Sequence, residues 1–269
     1  MEKETKTILV TGAGNGIGLA IAEYMSRRNV KVVAADFDED SLKKLAKREN
    51  IVPIYLDVRK NETILNAVTQ LSEITDGLDC LVNNAGIFLG GSLLDIDLEE
   101  LGRIFDINVL GYARVTQAVF PLLNKKKGKI INISSEVGRF SFPFNGPYSM
   151  TKFAIESFSD ALRRELMFLG MKVIIIQPGA MKTQFSDKTI SDYSKYLEDD
   201  YVFSDQIRRI WPILEKETYS DPIYIAKLVH KILKKQRPKH RYRVKNNRQR
   251  RMLEFLPSSW ADFLIKYLM

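Results

Sequence analysis

Tyr148 and Lys152 stand four residues apart in the stretch GPYSMTKFAIESF, which begins at Gly146. Residues at i and i+4 share one face of a helix, so a phenol and an ammonium at this spacing can meet at one site. A free tyrosine titrates near pH 10, and bringing it to neutrality takes roughly 4 kcal/mol of differential stabilisation of the phenolate. An ammonium a few ångströms away in a partly dry cleft supplies charge of the right sign. The chemistry this pair predicts is transfer of a proton to or from a hydroxyl, the proton half of a hydride-transfer oxidation. Pro147 suits the first turn of a helix, which predicts that Tyr148 sits at a helix start. Alone, such a pair is an ordinary helical surface; its context gives it meaning.

That context begins with a glycine-rich turn. The first apolar run leads straight into TGAGNGIG, residues 11–18, whose glycines fit G-x-x-x-G-x-G at Gly12, Gly16 and Gly18 but not G-x-G-x-x-G. Glycines allow a tight turn and let the backbone approach a pyrophosphate, while the following helix N-terminus offers free N–H groups to its charge. Asp36 ends the next strand, 18 residues after Gly18, where a carboxylate accepts from ribose hydroxyls and repels a 2′-phosphate. Phe37 follows it in place of an arginine or lysine, so NAD is expected over NADP.

Short apolar runs at TILVT, KVVAA, IVPIYL, DCLVN, KIINIS and KVIIIQ read as strands buried on both faces, because their apolar residues run together instead of alternating. Helical patterns lie between them, near 17–28, 61–75, 97–121 and 147–169, with another at about 222–235. The alternation predicts an α/β fold, a doubly wound parallel sheet (Rossmann fold) with helices on both faces. A single catalytic domain over residues 1–245 is expected, followed by a basic, amphipathic extension at 246–269. The looser stretch at about 184–220 reads as a substrate lid.

TGAGNGIG at 11–18, LDV at 56–58, NNAG at 83–86, Asn108 in FDINVLG, INISS at 131–135, YSMTK at 148–152 and PGAMKT at 178–183 occur in the order and at the intervals of one family. The chain resembles the short-chain dehydrogenases/reductases, strongly over residues 5–185. The resemblance implies a catalytic set of Asn108, Ser135, Tyr148 and Lys152, with Ser135 holding the substrate oxygen and Asn108 positioning a proton-relay water. It implies cofactor contacts from Gly12, Asn15, Gly16, Ile17, Gly18, Asp36, Phe37, Asp57, Val58, Asn84, Ala85, Gly86, Tyr148, Lys152, Pro178, Gly179 and Thr183. Within that set Asp57 and Val58 would flank the adenine, Asn83 would join Ala85 and Gly86 on the cofactor floor, and Thr183 would hold the carboxamide. The segment from Phe142 to Thr183 looks most like the branch containing 17β-hydroxysteroid and retinol dehydrogenases.

Phe142 and Phe144 lie between Ser135 and Tyr148, where substrate contact is expected together with Ser135 and Tyr148. Phe140, Phe88, Leu89 and the lid aromatics Tyr193, Tyr196, Tyr201, Phe203 and Trp211 extend an apolar rim, which favours a lipophilic secondary alcohol or ketone. The rival is a non-catalytic cofactor-sensing or membrane-adaptor protein on the same fold, and the complete Asn–Ser–Tyr–Lys set argues against it. The resemblance also implies a homodimer or homotetramer paired through the long helices near 97–121 and 147–169.

Two histidines and one cysteine supply neither a metal set nor a Ser–His–Asp triad, so no metal is expected. Cys80 lies in an apolar run as an inert buried thiol, which fits a reducing, cytoplasmic compartment. The opening MEKETKTILV lacks a signal-peptide core, and no stretch reaches the length of a membrane span. The net charge of +8 is local: residues 227–251 hold twelve of the 41 basic residues and no acidic one. No nucleic-acid motif accompanies that charge. Past Pro257, Ser258 or Ser259 suits a helix cap, and Trp260, Phe263, Leu264, Tyr267 and Leu268 fall on one helical face. That face is expected to dock on the protein's own body or another subunit, with peripheral membrane contact as the alternative.

Overall fold

The computed structural model describes residues 5–124, 128–198 and 200–268, without the side chains of residues 186–190, 213 and 268. Seven strands, β1 (Lys6–Thr11), β2 (Val30–Asp36), β3 (Ile51–Tyr55), β4 (Cys80–Asn83), β5 (Lys129–Ile133), β6 (Lys172–Pro178) and β7 (Arg241–Val244), form one sheet in the order β3-β2-β1-β4-β5-β6-β7. Every pairing is parallel. The helices are α1 (Gly16–Ser26), α2 (Glu39–Leu45), α3 (Asn61–Ile74), α4 (Leu98–Phe105), α5 (Gly111–Val119), α6 (Gly146–Leu166), α7 (Gln184–Ser194), α8 (Ser204–Glu215), α9 (Ile223–Lys234), α10 (Arg248–Leu253) and α11 (Ser258–Leu268). This is the expected Rossmann fold. The strand order reverses between β1 and β4, and the C-terminal ends of these two strands open the crevice where open α/β sheets bind ligands.

The unbroken apolar runs follow from burial on both faces. Successive side chains alternate, so Ile8 and Val10 pack with α1 and α9 through Ile21, Met25, Ile225 and Val229. Leu9 points the other way, to α3 and α5 through Ile64, Leu71, Val115 and Val119. Cys80 is fully buried in the first of these layers, and burial pushes its thiol up to about 12.

Three departures bear on the site. β7 adds a seventh strand from RYRV, an edge strand whose alternating arginines hid it from a search for apolar runs. The expected helix over 97–121 is broken: α4 gives way to a turn of π-helix at Asp106–Leu110 before α5 resumes. Such single turns recur at functional sites, and this one holds Asn108. The stretch expected to be a lid is not a plain loop: it holds α7 and α8, with a short turn at Lys195–Leu197 following α7. Among the described residues no helix is long and apolar enough to cross a membrane.

Candidate active site

The glycine turn is shaped by close contacts. Gly12 and Gly16 have φ of +63° and +55°, a region where other residues are strained. Asn84, just past β4, ties the turn to the neighbouring strand by donating to the carbonyls of Thr11 and Gly12 at 2.9 and 3.0 Å. Thr11 Oγ1 accepts from the backbone N–H groups of Asn84 and Ala85. Gly18 was expected to contact cofactor, but it does not line the cavity: a Cβ there would fall 2.0 Å from the Gly12 carbonyl oxygen. Its role is to let α1 lie against the turn. Gly18→Ala gains helix propensity worth about 1 kcal/mol, yet overpacking against backbone costs about 1–3 kcal/mol or more and wins. A urea midpoint lower than that of the wild type is expected, and an unchanged midpoint would contradict this packing.

One cavity of about 960 Å³ takes in Gly12, Asn15, Gly16, Ile17, Asp36, Phe37, Asp57, Val58, Asn84, Ala85, Gly86, Pro178, Gly179 and Thr183 together with Ser135, Tyr148 and Lys152. The buried Asp36 carboxylate accepts from Gly14 N–H at 2.7 Å and Asp38 N–H at 3.0 Å. Arg59 grips Asp57 through Nε and Nη2, and this bond holds the Asp57 carboxyl below its usual range. Asn83 is a correction. It is fully buried off the cavity and donates to Thr116 Oγ1 and Asn132 Oδ1, both at 2.9 Å.

Asn108, fully buried in the π-turn, pairs with the backbone of Ile87, accepting from its N–H at 2.8 Å and donating to its carbonyl at 2.9 Å. It also donates to Thr151 Oγ1 at 3.2 Å, and Thr151 in turn donates to the Tyr148 carbonyl at 2.7 Å. Asn108 thus links the β4 loop to the start of α6. Pro147 does occupy the first turn of α6, placing Tyr148 at the cavity. The Tyr148 ring packs 5.3 Å from both Phe88 and Phe185, and Ser135 lies near its hydroxyl on the wall of the same cavity.

Lys152, 4% exposed, donates to the Ile133 carbonyl at 3.1 Å and lies 5.3 Å from the centre of the Tyr148 ring. Burial lowers its pKa to about 8, with Glu156 one turn along α6 acting the other way. Burial also raises Tyr148 above the ordinary tyrosine value, and the nearby Ser135 opposes that rise. The expected downward pull on Tyr148 is therefore outweighed by desolvation in the chain itself. Tyr112 went unnoticed in the sequence. Fully buried on α5, it donates to the same Ile133 carbonyl at 3.1 Å and walls in Lys152.

The aromatic rim is only partly as expected. Phe142, Phe88 and Tyr193 line the cavity. Phe144 does not: its φ is +63°, its carbonyl accepts from Gly91 N–H, and its ring packs on Phe203. Leu89, Phe140, Tyr196, Tyr201, Phe203 and Trp211 also lie outside the lining. Their places are taken by residues the sequence did not single out, Phe185, Ile210, Leu214 and Tyr219, and by the chain's end, Met252, Leu253, Leu256, Leu264, Ile265 and Tyr267. Arg250 secures that end. It pairs with Glu136 at 3.1 Å and with Glu217, bridging the segment after Ser135 to the segment after α8.

The α1 N-terminus fits a diphosphate. Its N-cap Asn15 makes no side-chain cap, no acidic residue occupies its first turn, and Asn15, Gly16 and Ile17 face the cavity. Among the described residues there is no cluster of His, Cys, Asp and Glu fit to hold a metal.

A family model described as short chain dehydrogenase matches residues 6–194. Retinol dehydrogenase 7 of Mus musculus is 37% identical over 188 residues, which span 68% of this chain and 59% of that protein. 17-beta-hydroxysteroid dehydrogenase type 6 of Bos taurus is 33% identical over 83% of this chain and 69% of its own length. An uncharacterized oxidoreductase of Bacillus subtilis (strain 168), YusZ, is 32% identical over 98% of both chains. Among solved structures, a short-chain dehydrogenase from Streptomyces avermitilis aligns with a TM-score of 0.79 at 25% identity, covering 99% of this chain and 96% of that one. Glycine turn, Tyr–Lys pair and parallel sheet agree with these likenesses: the chain belongs to the short-chain dehydrogenase/reductase family, in the branch of the retinol and 17β-hydroxysteroid dehydrogenases.

Proposed function

We propose that this protein moves hydride between NAD and a lipophilic secondary alcohol or its ketone, steroid-, retinoid- or lipid-like, with Tyr148 as the general acid and base. The observation that carries the reading is a single cavity shared by the glycine turn, Asp36, Ser135, Tyr148 and Lys152, walled elsewhere by apolar and aromatic side chains. The bound cofactor supplies the hydride acceptor and, when oxidised, a positive ring. Ser135 Oγ orients the substrate oxygen. Tyr148 Oη takes the hydroxyl proton during oxidation and returns it during reduction. Lys152 contributes positive charge beside the phenolate, and that charge must add to the cofactor's to overcome the burial that favours the neutral phenol. Asn108 does not line the cavity; its side chain is committed to Ile87 and Thr151, through which it fixes the start of α6 beside Tyr148 and Lys152. Exposed apolar side chains at Leu110, Met150 and Phe153 support a homo-oligomer paired along α4–α6.

A panel of lipophilic alcohols with NAD, followed by nicotinamide absorbance, tests the reading. Turnover of at least one member is expected; binding of NAD with turnover of none would point to a cofactor sensor. Asp36→Ala tests the nucleotide choice. The change also strips an acceptor from Gly14 N–H, so both cofactors lose some affinity. Only the 2′-phosphate gains from removal of the negative charge, so the NAD-to-NADP ratio of kcat/KM is expected to fall by about tenfold or more. A constant ratio would make Asp36 a turn residue alone.

A further inference from the structure

Among the described side chains, most of the expected apolar face of the last helix stays exposed, although Leu264 and Tyr267 also touch the cavity. α11 docks through Ala261, which is buried, and Ile265, while Trp260, Phe263 and Tyr267 remain 68%, 59% and 78% exposed. Met252 and Phe255, in and just after α10, are 66% and 69% exposed. Single exposed apolar residues are common on any protein, but six large ones within residues 252–267, Leu264 among them, are a patch. Arg248, Arg251 and Lys266 are exposed on the same two helices and have no carboxylate partner among the described residues. The acids nearby are mostly spent: Glu254 is held by Arg243 and Arg139, leaving Asp262 as the exposed acid of α11.

We propose that the outer face of α10 and α11 docks on an anionic lipid bilayer. The residue types fit an interface. Trp and Tyr seat an apolar ring at headgroup depth with their polar edge in water, and each basic residue near an anionic surface adds attraction. A second copy of the chain is the poorer occupant. Pairing the same face across a two-fold axis would set the unpartnered cations of one copy against those of the other. The face is also continuous with the cavity, since Met252, Leu264 and Tyr267 belong to its lining, so a docked protein holds the cavity wall against the lipid. Docking itself does not depend on the proposed reaction; only the delivery of a lipophilic substrate from the bilayer rests on that reading.

The test is co-sedimentation of the full chain with vesicles of phosphatidylcholine and phosphatidylglycerol (3:1) or of phosphatidylcholine alone, without substrate. Binding to the anionic vesicles that weakens in high salt is expected. The double substitution Trp260→Ser with Phe263→Ser should weaken it by about tenfold or more, and Arg248→Gln with Arg251→Gln should bring it down to the level seen on phosphatidylcholine. All four side chains are exposed, so unchanged NAD affinity and Tm should confirm folding. Equal pelleting of wild type and both variants overturns the proposal. So does a wild-type dimer, seen by light scattering, that the aromatic pair of changes dissociates, or retention by duplex DNA with none by vesicles. Because the readout involves no turnover, failure of the proposed reaction leaves this result standing, and the reverse also holds.

Discussion

Tyr148→Phe is expected to leave the protein folded and able to bind NAD while lowering turnover about 10³-fold or more, toward the upper end of what a positioned acid–base group supplies. The ring of the replacement keeps its place between Phe88 and Phe185, so the cavity wall and the start of α6 are undisturbed. What disappears is one oxygen atom, the one near Ser135 on the cavity wall. Titration calorimetry with NAD should give an affinity within a few-fold of wild type, since the turn at Gly12–Gly18 and Asp36 are untouched. The informative comparison is kcat, in both directions, with a substrate found by the panel. A loss confined to less than about tenfold would mean that the proton passes through another group.

The sequence made the site legible where chemistry demands particular residue types. A glycine turn followed by a helix, a carboxylate at a strand end and a Tyr–Lys pair at i and i+4 each follow from a local physical need. The first six strands were legible because burial, on both faces for all but the edge strand β3, leaves an unbroken apolar run. Residues whose jobs are set by packing were not. Gly18 sits within the cofactor motif but faces the Gly12 carbonyl, and Asn83 sits beside Asn84 but points into a buried amide pair. Nothing in a list of residues separates neighbours on opposite faces of a strand end. Phe144 was misplaced because its left-handed backbone turns the ring toward Phe203, a conformation no phenylalanine announces. The cavity wall formed by the chain's end was hidden for a different reason: it is long-range, and Arg250 reaches it through Glu136 and Glu217 from segments 114 and 33 residues away.

The second large effect concerns the charge on Lys152, and it can be separated from mere structural support by pH. Lys152 faces Tyr148 and Glu156 on its own helix, Tyr112 on α5 and the Ile133 carbonyl on β5. Because burial brings its pKa to about 8 while raising that of Tyr148, an alkaline fall in ketone reduction beginning near pH 8 should report Lys152, the phenol staying protonated throughout. Glu156→Gln removes the carboxylate that props this value up, so the limb should move about 1 unit to lower pH. The amide oxygen can still accept from Gln177, and Arg241 keeps Asp160, so the fold has other ties. A lower Tm with an unmoved limb would make Glu156 structural only. Lys152→Met should cost about 10²-fold or more in kcat, and stability gives an independent check with the opposite sign. A lysine whose folded pKa lies below its unfolded value of 10.5 is protonated more in the unfolded chain between about pH 8 and 10.5, so its contribution to stability rises with pH across that window. Activity that falls over the same range in which wild type gains stability relative to Lys152→Met would tie both trends to one buried ammonium. Parallel pH trends in the stability of the two proteins would place the titrating group elsewhere.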